Sequence, residues 1–146
     1  MNNSAAQKPE AIHEDEPVYR CFSAMLRIFG EGVDFDEISR MLCLSPSESH
    51  RKGERRTPRS EPWQHDMWIY QPAVDEERPL GEHILALWQA IRPHIPYLRD
   101  LKRRFEVDIF CGYRSDSDTA GFSVDQRCLG LFAELDVPFE VSVIIV

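Results

Sequence analysis

The chain has 146 residues, 42% hydrophobic and 29% charged, with a formal net charge of −8. That length supports one domain with a sizeable core, which needs neither disulfide nor metal in order to fold. The negative balance argues against nucleic acid and anionic membranes as partners, since both require a positive field. No apolar run reaches the roughly 18 residues of a membrane span.

Residues 1–17 carry Pro9, Pro17, Glu10, Glu14, Asp15 and Glu16 without periodicity, which predicts a flexible acidic tail ahead of a single domain over 18–146. From Tyr19 to Phe29 the pattern has period two. Phe22, Ala24, Leu26 and Ile28 share one face and Cys21, Ser23, Met25 and Arg27 the other, so a strand is expected. Gly30-Glu31-Gly32 supplies a turn. Asp34, with Glu37 three residues on, fits a capping box, and Phe35, Ile38, Met41 and Leu42 then predict a helix to about Cys43.

The stretch from Ser45 to Gln64 is rich in Ser, Pro, Arg and Glu, so a long exposed connection is expected, with a turn at Lys52-Gly53-Glu54. Asp66 to Gln71 reads as a short strand, with Met67 and Ile69 on one face and Trp68 and Tyr70 on the other. A second helix fits Leu80 to Arg92 and must break at Pro93, with further turns carrying Ile95, Leu98 and Leu101. Phe105 to Tyr113 alternates again, placing Val107, Ile109 and Cys111 inward and Glu106 and Asp108 outward. Ser123 with Gln126 offers a second capping box, for a helix burying Cys128, Leu131, Phe132 and Leu135. Phe139, Val141, Val143 and Ile145 make a closing strand. The fold class is α+β: a four- to five-stranded, largely antiparallel sheet with helices on one face, ferredoxin-like (split βαβ) or a close variant.

Most candidate chemistry fails on its own residues. Gly30-x-Gly32-x-x-Phe35 sits where a dinucleotide loop would, but the third glycine is missing and Glu31, Asp34, Asp36 and Glu37 would repel a pyrophosphate. Asp116-x-Asp118 begins like a calcium loop, yet Arg127 stands where the bidentate Glu belongs. His13, His50, His65, His83 and His94 show no metal-ligand spacing, and His83 falls at the polar border of its helix. Cys21, Cys43, Cys111 and Cys128 form no Cys-x-x-Cys pair, so reduced thiols and a cytoplasmic protein are expected, with no metal and no cofactor.

Two features remain. His50, Arg51, Lys52, Arg55 and Arg56 gather cations on one loop, where guanidinium groups can grip a carboxylate or phosphate. Arg27, Trp68 and Tyr70, with Met25, Phe110 and Ile144, give the sheet's second face an aromatic character suited to a protein partner, self-association or a ligand.

Leu26-Arg27-Ile28-Phe29-Gly30, Asp34 to Ser39, Leu44-Ser45-Pro46-Ser47, Arg51-Lys52-Gly53-Glu54 and Trp68 occur in an order that resembles the bacterial DUF4279 family, a domain of unknown function. Leu80 to Ile84 and Gly121-Phe122-Ser123 are similar too, so the likeness runs from about Tyr19 to the C-terminus. It implies a bacterial cytosolic domain and no particular reaction. Together the residues favour a non-enzymatic interaction or ligand-binding module. The alternative is an enzyme on a small anionic substrate held by the His50–Arg56 loop, with His50, Asp66 or His83 as acid or base.

Overall fold

The computed structural model describes residues 19–146. The acidic tail expected over 1–17, and His13 with it, lies outside the described residues. The elements in chain order are β1 (Arg20–Gly30), α1 (Phe35–Leu42), β2 (Glu48–His50), β3 (Asp66–Tyr70), α2 (Leu80–Ile91), α3 (Ile95–Leu101), β4 (Glu106–Ser115), α4 (Gly130–Leu135) and β5 (Val141–Ile145). Short 3-10 turns at Arg92–His94 and Gln126–Cys128 lead into α3 and α4.

The five strands form one sheet in the order β2-β3-β1-β4-β5. Every neighbouring pair is antiparallel except β4 and β5, which run parallel. The α+β class therefore holds; the sheet is mixed, and its parallel strands β4 and β5 are direct neighbours with no strand between them. Long β1 is the spine. It pairs with β4 from Arg20 to Phe29 and with β3 from Leu26 to Gly30.

Alternation along β1 decides the layers. Ala24, Leu26 and Ile28 are fully buried and pack with Ile38, Leu87, Ile91, Leu98 and Leu131 of the helices in one core. Each such Leu or Ile contributes ~1.5–3 kcal/mol by leaving water. The helices cover this face.

Local chemistry sets the boundaries. Asp34 caps α1 by accepting from the Glu37 amide at 3.0 Å, and the helix ends at Cys43, whose φ of 54° closes it in the left-handed region. Pro93 forces the 3-10 turn between α2 and α3, as its missing N–H and ring demand. Before α4 the capping residue is Asp125, which accepts from the Arg127 amide, not Ser123. The carboxylate lies next to the turn it closes, whereas Ser123 is too far upstream to reach it.

The Ser45–Gln64 connection is more ordered than its composition suggests. β2 pairs with β3 through Glu48, Ser49 and His50. The hairpin is extended by paired bonds from Gly53 N to Trp63 O and from Trp63 N to Glu54 O, each 2.8 Å. Gly53 turns it at φ 89°, a conformation glycine adopts without a Cβ penalty.

Candidate functional site

The basic loop and the Gly30–Val33 turn meet at the side chain of Asp66, the first residue of β3. One carboxylate oxygen accepts from the amides of Gly32 (3.0 Å) and Val33 (3.2 Å) and from Arg51 Nη1 (3.0 Å). The other accepts from the Lys52 amide at 2.9 Å. Only 10% of this side chain is exposed. Consecutive amides aimed at one point, with a guanidinium beside them, form the concavity that proteins offer to an anion. Here the protein's own carboxylate fills it. The Lys52 amide first, then the Val33 amide and Arg51, hold the Asp66 carboxyl below the ordinary aspartate range, against the upward push of burial.

The remaining cations of the loop are similarly committed. Arg51 Nη1 also donates to Val33 O at 2.6 Å, and its guanidinium lies 3.7 Å from the centre of the Phe35 ring. Lys52 Nζ pairs with Glu31 at 2.5 Å, lowering that carboxyl and raising the lysine. Arg55 donates to Ser60 O at 2.7 Å. His50 is buried and stacks on Trp63 with ring centres 3.8 Å apart. Arg56 is exposed. Of the five residues expected to hold an anion, four are thus engaged within the chain.

The second expected site divides between two faces. The register pairs Trp68 with Ile28 and Tyr70 with Leu26, and cross-strand partners share a face. Both aromatics therefore belong to the helix side, contrary to the expectation that they accompany Arg27. Trp68 is fully buried, and its Nε1 donates to Ser39 Oγ on α1 at 3.1 Å. The apolar character of both faces of β3 hides the distinction in the sequence, because a short strand buried on both sides has no polar alternation to read.

Arg27 does lie on the open face. Its neighbours there are Met25, Phe29, Ile69, Asp108 and Phe110. Arg27 Nε donates to Asp108 Oδ1 at 2.8 Å and Nη2 to Oδ2 at 2.6 Å, a bidentate pair. The guanidinium also sits 4.7 Å from the centre of the Phe110 ring. Asp108 is the site residue that sequence reasoning missed. It shows there only as one outward carboxylate on β4, and a cross-strand register cannot be read from one strand alone.

Two clefts flank Phe110 on this face. One, of about 260 Å³, lies among Tyr19, Cys21, Gln71, Gly112, Arg114 and Ile144. The other, of about 460 Å³, lies among Arg27, Glu140, Val141 and Ser142. Both reach β5, so the open face runs without interruption from Arg27 to the sheet edge.

The other titratable groups serve the interior. His83 is fully buried rather than at a polar border; its Nε2 meets Arg78 O at 3.1 Å, and burial lowers its pKa. Burial also pushes the Cys111 thiol up to about 12. The four cysteines are unpaired, three of them buried. No group of three or more His, Cys, Asp or Glu residues is placed to hold a metal among the described residues. No helix among them is long and apolar enough to cross a membrane.

A family model described as "Domain of unknown function (DUF4279)" matches residues 19–145. No curated protein and no solved structure matches the chain.

Proposed function

The chain belongs to the DUF4279 family, whose description names no activity, and from the geometry we propose that it is a protein-interaction module working through the open face of its sheet. The observation that carries this reading is the Arg27–Asp108 pair. In a chain of net charge −8, the centre of the open face is made electrically neutral by its own bidentate pair. Met25, Phe29, Met67 and Phe110 surround that pair, all partly exposed. A surface that is apolar and charge-compensated at its centre, with Arg114 and Glu140 only at its clefts, suits a protein partner presenting mainly apolar side chains, because contact over the centre then strands no charge.

The enzyme alternative needs free cations in the His50–Arg56 loop. Arg51, Lys52 and Arg55 already have partners within the chain, so a substrate anion at Arg51 or Lys52 would have to displace Asp66 or Glu31. The interaction reading takes precedence for that reason.

The test is a benzophenone amino acid placed at Met25 on the open face, with Leu85 on α2, 38% exposed, as control. Irradiation in extract of the source organism should give one discrete protein adduct from position 25 and none from position 85. Equal adducts at both positions, or none at 25, would remove the proposal.

A further inference from the structure

The two edges of the sheet are built differently. At one end β2 is three residues long and carries Glu48, with His50 covered by Trp63. Shortness, charge and cover are the devices by which proteins keep an edge from pairing. At the other end β5, five residues long, carries no charge and has no cover among the described residues. Its sequence, Val-Ser-Val-Ile-Ile, holds no charge, proline or glycine. Val143, Ile144, Ile145 and the following Val146 are 56%, 49%, 48% and 64% exposed.

The backbone of β5 is divided by its parallel pairing. Val146 N donates to Ser115 O on the β4 side at 2.9 Å. In a parallel ladder, alternate residues turn both main-chain groups toward the same neighbour. Ser142, Ile144 and Val146 therefore face β4, while Val141, Val143 and Ile145 turn N–H and C=O outward. Those three free positions are spaced symmetrically about Val143.

We infer that β5 pairs antiparallel with β5 of a second copy, about a two-fold axis at Val143, to make one continuous ten-stranded sheet. This uses the sheet's edge rather than its open face, so it does not rest on the reading above. The occupant follows from symmetry and charge. Val143 meets Val143, and Val141 meets Ile145, so every outward donor finds an outward acceptor of the identical strand. The ladder itself contains no charged side chain, and Glu140 falls opposite Val146 of the second copy rather than opposite its own counterpart. Over Val141–Ile145 two acidic chains thus meet without like-charged side chains across the strands. A partner selected by opposite charge would find nothing on β5 to recognise. Pairing of one short strand edge makes a small interface, at or below the ~1,000 Å² low end of specific ones, so the dimer exchanges with monomer and grows with concentration.

Sedimentation equilibrium over a concentration series tests this. The weight-average mass should rise from the 17.0 kDa of one chain toward twice that value. Amide exchange at Val143 and Ile145 should slow as concentration increases. Val143→Pro removes an outward N–H that has no partner among the described residues, and should hold the mass at one chain while the protein stays folded. Val143→Lys, which places a charge at the axis, should do the same and serves if the proline variant does not fold. A wild-type protein that stays at the one-chain mass up to several hundred micromolar overturns the inference. So does association that both variants retain, or that leaves the Val143 and Ile145 amides unprotected. A monomer that still gives the position-25 adduct overturns self-pairing alone; a dimer without that adduct overturns only the open-face reading.

Discussion

Asp66 and Arg51 meet 3.0 Å apart, with the carboxylate sitting where four donors from two loops converge. Replacing Asp66 with Asn keeps one acceptor but turns an amide group toward those donors. Asp66→Asn should therefore destabilise the domain by about 2–3 kcal/mol at neutral pH, measured by urea unfolding.

The same carboxylate carries a pH dependence of known sign. Its folded pKa lies below the ordinary value of 3.8, so the proton binds more weakly to the folded state. Its contribution is complete above the unfolded pKa and is lost as pH falls through the lower folded one. The stability difference between wild type and Asp66→Asn should be constant from pH 7 to about 5 and narrow below pH 4. A difference that widens on acidification contradicts the assignment.

Arg27 and Asp108, 28% and 29% exposed, form a cross-strand pair whose bidentate geometry resists solvent better than a single contact. A double-mutant cycle with Arg27→Ala and Asp108→Ala should give a coupling of about 1 kcal/mol in thermal or urea unfolding.

Gly130, the first residue of α4, lies against the indole of Trp88 on α2, and an added Cβ would collide with the ring's far edge. Because the Trp88 ring is itself partly buried against the core, shifting it gives up packing there. Gly130→Ala should lower stability by about 1–3 kcal/mol despite the better helix propensity of alanine, as read by the unfolding midpoint.

Much of the fold is legible where one face is apolar and the other is not. The alternation of β1 and β4, the Asp34 cap and the break at Pro93 follow from local chemistry, and all are found in the structure. What fails to read locally is pairing. Glu48–His50 carries no apolar pattern, because its strand identity comes from the ladder it makes with β3. Trp68 and Tyr70 are misassigned for the same reason: only the register with Leu26 and Ile28 reveals which side they occupy. The basic run reads as free charge because its acceptors, Asp66, Glu31 and the Val33 and Ser60 carbonyls, are 5 to 21 residues away and marked by no motif. Arg27 is legible as an open-face residue, whereas its neutralisation by Asp108, 81 positions away, is not.

The central claim separates two groups of residues: the Arg51 cluster holds the fold, and the open face meets the partner. The direct measurement is the yield of the position-25 photoadduct in the Arg51→Ala and Phe110→Asp proteins, at a temperature where each is folded. Arg51→Ala should lower the unfolding midpoint by roughly 3–6 °C and leave the adduct yield unchanged. Phe110→Asp, which plants a charge on the neutral face, should leave the midpoint within about 2 °C and reduce the adduct at least tenfold. An adduct that disappears with Arg51→Ala and survives Phe110→Asp would contradict the account.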